Sequence, residues 1–181
     1  MKFCLYILAI CFYSNSLIAQ HLVGMSTRYD SDISEWILYP EDEKLPECAI
    51  RARWSIPSNP GEWDFRMGEI SGTIRLKWKD RFDEWEIIGD NIITRLKMVW
   101  PGNLGEWRVE TSDKEFTIQS KYNLALGDWL VKSKSDSPFI IYPAYQNDLR
   151  DWKIEDNLPE DIHITARIGL CFAVLISNIL R

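Results

Sequence analysis

The stretch that decides the fold is IRLKWKDRFDEWEIIGDNIITRLKMVWPGNLGEW, residues 74–107. It holds two copies of one phrase. An alternating run ends in tryptophan (Trp78, Trp100), a polar turn follows, and an acid-tryptophan pair (Glu84-Trp85, Glu106-Trp107) opens a second run. In IRLKW the period is two: Ile74, Leu76 and Trp78 fall on one face, Arg75 and Lys77 on the other, the pattern of a half-buried β-strand. IRARW at 50–54 repeats it.

Working outward, the phrase recurs six times. The second aromatic of each copy is Trp36, Trp63, Trp85, Trp107, Trp129 and Trp152, at steps of 27, 22, 22, 22 and 23 residues. The first aromatic is Tyr29, Trp54, Trp78, Trp100, Tyr122 and Tyr145, so all nine tryptophans occupy these twelve positions. An acid precedes the second aromatic in every copy: Glu35, Glu62, Glu84, Glu106, Asp128 and Asp151. Two residues beyond it stands an apolar residue: Leu38, Phe65, Ile87, Val109, Val131 and Ile154. Polar clusters such as GDN at 89–91 and TSDK at 111–114 close the units. A fixed period with hairpin logic reads as a β-repeat. The expectation is an all-β fold of about twelve short antiparallel strands in a meander, curled or closed into a barrel.

The repeat explains the aromatics and acids without chemistry. The aromatic pair of each copy is expected to meet across the hairpin end, and the acid to stabilise the loop. Arg28, Arg53, Lys77 and Lys121, just before the first aromatic, stand ready as partners. The rival reading makes the six acids a cation-binding rim.

The segment after the sixth copy, NLPEDIHITARIGLCFAVLISNILR, is different. Pro159 with Glu160 and Asp161 is a helix-start signal. Residues 158–181 are therefore expected to form one apolar helix, running from Pro159 to Leu180 and covering or filling the sheet. His163, Arg167 and Asn178 mark its polar side, while Ala166, Gly169 and Ala173 form a small-residue stripe. Two further strands, or a membrane anchor, are the competing readings of this segment.

The first 19 residues have the order of a secretory leader: Lys2, an apolar run from Phe3 to Tyr13, and a small residue, Ala19, at the cleavage position. That places the protein outside the cytoplasm: periplasmic, at the cell surface or extracellular. The repeat domain then spans 20–157. The net charge is −6, and losing Lys2 with the leader makes it more negative. An acidic chain without a basic cluster argues against nucleic acid and anionic membrane surfaces. Two of the four cysteines leave with the leader. Cys48 and Cys171 remain, to form one bridge or to serve as two small buried side chains.

No enzyme signature is present: no G-x-S-x-G elbow, no HExxH, no glycine-rich phosphate loop. The two histidines, His21 and His163, do not make a metal set, and no cofactor is implied. The expected role is non-enzymatic, structural or binding, with the partner unidentified. The alternatives are a glycan- or lipid-binding module using the motif aromatics, a small outer-membrane β-barrel, and an enzyme of unknown class. Exposure of the twelve aromatics is the observation that separates them.

Overall fold

The computed structural model describes residues 21–56, 59–122, 127–134, 136–146 and 148–181. The expected leader lies outside them. Twelve strands are followed by one helix: β1 Leu22–Tyr29, β2 Asp32–Pro40, β3 Cys48–Ala52, β4 Glu62–Met67, β5 Ile70–Trp78, β6 Arg81–Gly89, β7 Ile92–Met98, β8 Glu106–Glu110, β9 Glu115–Ser120, β10 Trp129–Val131, β11 Phe139–Pro143, β12 Asp151–Asp156 and α1 Ile164–Ile179. Each strand pairs antiparallel with the next. β1 then pairs with β12 through Gly24↔Lys153, Met25↔Trp152 and Ser26↔Asp151, so the meander is a closed barrel. Closure leaves no strand edge unpaired.

The alternation read from the sequence decides what faces inward. The second-aromatic column and the apolar column two residues beyond it are buried in all six copies. Charged residues occupy the other face, where cross-strand pairs such as Arg75–Glu86 (3.1 Å) and Arg108–Glu115 (3.4 Å) run along the outer wall. A lipid-embedded barrel needs its apolar band outside; here that band is inside. The six motif loops all join an odd strand to the following even one, so they share one end of the barrel, called the rim below. The other end carries the even-to-odd turns. At the β6–β7 turn Asp90 and Asn91 both have positive φ (50° and 59°), as a two-residue type I′ hairpin turn requires.

α1 fills the barrel. It has 16 residues, about 24 Å at 1.5 Å per residue, and is buried from Ile164 to Ser177. Its N-terminal end lies at the turn end, where His163 is 3.6 Å from Asp90 and Asp161 is 3.5 Å from Lys114. Its last turn reaches the rim, where the Ser177 hydroxyl donates to the Leu104 carbonyl (2.7 Å) and accepts from the Trp107 indole (2.8 Å). The small residues let the helix lean on β6–β8: a Cβ at Gly169 would lie 3.2 Å from Val109 and 3.6 Å from Ile87. Large side chains take up the remaining width, and Phe172 sits edge-on to Trp63 (5.6 Å) and Trp85 (5.1 Å). The wall makes room as well. Phe65 lies across Gly72 and Gly89 on the next two strands, β5 and β6, and a Cβ at Gly72 would come within 2.5 Å of that ring and 2.0 Å of the Ile88 carbonyl.

Two expectations for this segment need correction. The helix begins at Ile164, with His163 as its N-cap, and Pro159–Asp161 form a turn before it. Arg167 does not face water. It is 1% exposed, donates to the Asp156 carboxylate (2.7 Å) and also to the carbonyls of Leu158, Pro159 and Ile162. Those bonds hold residues 158–162 as a turn, which is why the helix starts late. Cys48 and Cys171 are both free and buried, and burial pushes the Cys48 thiol up to about 12.

Candidate functional site

The site is built from the six motif loops. An Asx residue four positions before the buried tryptophan starts most of them. The side chain of Asp32, Asn59, Asn103 or Asp148 accepts the backbone N–H two residues on, at 2.8, 2.9, 2.9 and 2.9 Å. This local bond turns the chain without help from a strand ladder. The buried indole then fastens the loop from inside. Trp36, Trp63, Trp85, Trp107 and Trp152 each donate Nε1–H to the carbonyl three residues earlier, at 2.8, 2.7, 3.0, 3.1 and 2.9 Å. For Trp129 the corresponding carbonyl lies outside the described residues, and among the described residues its indole has no partner. The Asx column was readable in the sequence, at a fixed offset from tryptophan, but it escapes a search keyed to aromatics and acids.

The two aromatics of each copy do not meet as a pair. The second is in the core; the first is on display. Tyr29, Trp54, Trp78, Trp100, Tyr122 and Tyr145 are 55, 55, 51, 63, 62 and 65% exposed. The reason is visible in the register. Strict alternation would put Trp78 inside with Ile74 and Leu76, but the β5–β6 pairing shifts between Leu76 and Trp78. The same shift occurs in β1–β2 between Thr27 and Tyr29. In the other four copies the aromatic lies just past the end of its strand. The result is a circle of six exposed rings at the rim.

Beside the rings stand the acids, five of the six paired with a base on the outer wall among the described residues. Arg28 meets Glu35 at 2.6 Å, Arg53 meets Glu62 at 3.5 Å, Lys77 meets Glu84 at 2.6 Å and Lys121 meets Asp128 at 3.9 Å. Glu106 is met by Lys132 of the next copy, and Asp151 is half-buried at the same level. In two copies the acid also holds the exposed ring: Trp54 Nε1–H donates to Glu62 (3.0 Å) and Trp78 Nε1–H to Glu84 (3.2 Å). The Lys77 and Lys121 ammonium groups lie 5.5 and 5.3 Å from the ring centres of Trp78 and Tyr122, within cation–π range.

The described geometry gives the cation-rim reading of the acids no ligand set. Neighbouring acids of the column stand two strands apart, roughly 10 Å, whereas ligands of one calcium ion lie within about 2.6 Å of it. Among the described residues no three acidic, histidine or cysteine side chains are grouped to hold a metal ion. The pairings of the acids bear on stability, and Glu84 gives the test. Burial works to raise the Glu84 carboxyl, but the hydrogen bonds from Lys77 and Trp78 and the charges of Lys77 and Lys97 outweigh it and hold the group below its usual range. A lowered folded-state pKa gives stability that is present above the unfolded value of about 4.3 and lost as pH falls through the folded one. Glu84→Gln should therefore cost about 1 kcal/mol at neutral pH and flatten the acid-side fall of the melting temperature. Superimposable melting profiles of variant and parent across the acid range would refute this.

Away from the rim the described residues line open depressions around Ile93 and Arg95 beside the β6–β7 turn and around His21 and Asp156 at the β1–β12 seam. Among the described residues no helix is long and apolar enough to cross a membrane. Comparisons with protein-family models, curated proteins and solved structures find no match for this chain.

Proposed function

We propose that the chain is an exported, non-enzymatic binding module whose contact surface is the rim, and that its ligand is a glycan. The observation that carries this reading is the exposure of the first aromatic in all six copies, at one end of a barrel whose interior is already full. Scattered exposed apolar residues are ordinary on a protein surface. A sixfold column of large rings kept out of the core is not accounted for by packing, because the buried column and α1 complete the core without it. A ring held at its edge by a carboxylate offers a flat apolar face for the C–H side of a sugar. The neighbouring acid and base offer acceptors and donors for its hydroxyls.

Other ligand classes fit less well. An acyl chain needs enclosed apolar space, and α1 occupies the barrel. Nucleic acid needs a concentrated basic surface, whereas the chain is acidic and the rim bases are paired with acids. The test is retention on insoluble chitin, cellulose, starch and peptidoglycan. Replacing Trp54, Trp78 and Trp100 together by alanine should abolish retention on whichever polymer holds the parent. Each change, being at an exposed position, should cost no more than about 1 kcal/mol of stability. A variant that is retained as well as the parent would exclude the rim as the contact surface, and a parent retained on none of the four would exclude the glycan reading.

A further inference from the structure

The six copies of the rim are not equivalent, and their differences point to one stretch of it. Resting on the glycan reading above, we infer that the ligand is an uncharged sugar chain of at least two units, seated across Trp54 and Trp78. Among the described residues these are the two exposed motif rings whose indole N–H is tied to the acid of their own copy, Glu62 and Glu84, and that acid is in turn held by the preceding base, Arg53 or Lys77. Both rings are thus positioned before any ligand arrives, which cuts the ordering cost of binding. The two copies are also neighbours. β3, β4 and β5 are consecutive in the wall, so the rings stand about two strand spacings apart, roughly 10 Å. A single hexose does not reach from one to the other; a longer chain does.

The wall between them supplies the polar contacts. Glu62 faces Arg75 across the β4–β5 ladder, and Asp64, beside it, binds Arg53. Their side chains are 44, 55, 50 and 42% exposed in the order Glu62, Arg75, Asp64, Arg53, so lone pairs and N–H groups remain open to hydroxyls. Charges of both signs alternate along this strip, which favours a neutral chain over a polyanionic one. Elsewhere the pattern is thinner. Trp100 follows Val99 in place of a base, its acid Glu106 is taken by Lys132, and Tyr145 follows Ala144.

The experiment is calorimetric titration of the full chain with the mono-, di-, tetra- and hexasaccharides derived from chitin, cellulose and starch. The expected result is a Kd that falls roughly tenfold or more from monosaccharide to tetrasaccharide in one series, the mark of two linked contacts. Trp54→Ala and Trp78→Ala should each remove that gain while lowering the melting temperature by no more than about 4 °C, and Tyr145→Ala should leave it in place. A monosaccharide that binds as tightly as the tetrasaccharide, or a Tyr145→Ala loss equal to that of Trp54→Ala, overturns this inference and leaves the glycan reading standing. No binding in any series overturns the glycan reading with it.

Discussion

Phe172→Ala should lower the unfolding free energy by about 3–5 kcal/mol, the range for removing a fully buried phenylalanine. The side chain is 0% exposed and projects from α1 between Trp63 and Trp85, both also 0% exposed. Its loss removes apolar burial and two edge-to-face contacts, each worth about 0.5–1.5 kcal/mol beyond the area buried. The cavity term should sit at the high end, because the surroundings cannot collapse. Trp63 and Trp85 are tethered by their indoles to the carbonyls of Pro60 and Phe82, and the wall is a hydrogen-bonded hoop. α1 cannot shift across to fill the space without leaving its close contact with β6–β8 at Gly169. Urea denaturation measures this directly. A loss below about 1 kcal/mol, the level of an ordinary substitution, would mean that Phe172 is not the wedge between helix and wall.

The contrast with the rim shows what could be read in advance. Strand number, antiparallel order and the buried columns were legible because a repeat states each rule six times, and period two allows only one face per column. The fate of the first aromatic was not. Period two placed Trp78 with Ile74 and Leu76, and the register shift between Leu76 and Trp78 reversed it. Such a shift belongs to loop geometry, which the Asx side chains and indole–carbonyl bonds determine and the hydrophobic pattern does not record. The helix shows the same limit. Proline followed by two acids is a sound start signal, yet Arg167 draws three carbonyls of that segment onto itself and delays the helix to Ile164. Arg167 was read as a polar-face residue because its partner, Asp156, is eleven residues away on a strand, at no helical spacing.

That buried pair is the other position of large effect. Arg167→Met should cost about 3–5 kcal/mol, since it leaves a carboxylate in the interior without its cation. Both side chains are 1% exposed. Asp156 also accepts the backbone N–H groups of Leu22 and Leu158, each at 3.1 Å, and its own carbonyl lies 2.8 Å from His21 Nδ1. One carboxylate therefore ties the start of β1, the end of β12 and, through Arg167, the entry of α1. Methionine retains most of the apolar stem but leaves the Leu158 and Ile162 carbonyls without their donor in a dry site, a further penalty. Arg167→Lys should rescue little, because one ammonium cannot reproduce the planar fork that serves four acceptors. The double change Arg167→Met with Asp156→Asn should recover part of the loss: the amide oxygen can still accept from Leu22 and Leu158, and the uncompensated charge is gone. The damage should be greatest at the seam, so amide exchange at Met25 and Trp152 should rise more than at Ile87 or Leu96. Because the pair is shielded from solvent ions, raising the salt concentration should not reduce the difference between variant and parent. A variant within about 1 kcal/mol of the parent, or one whose exchange rises evenly round the barrel, would show that the closure of the wall does not depend on this clasp.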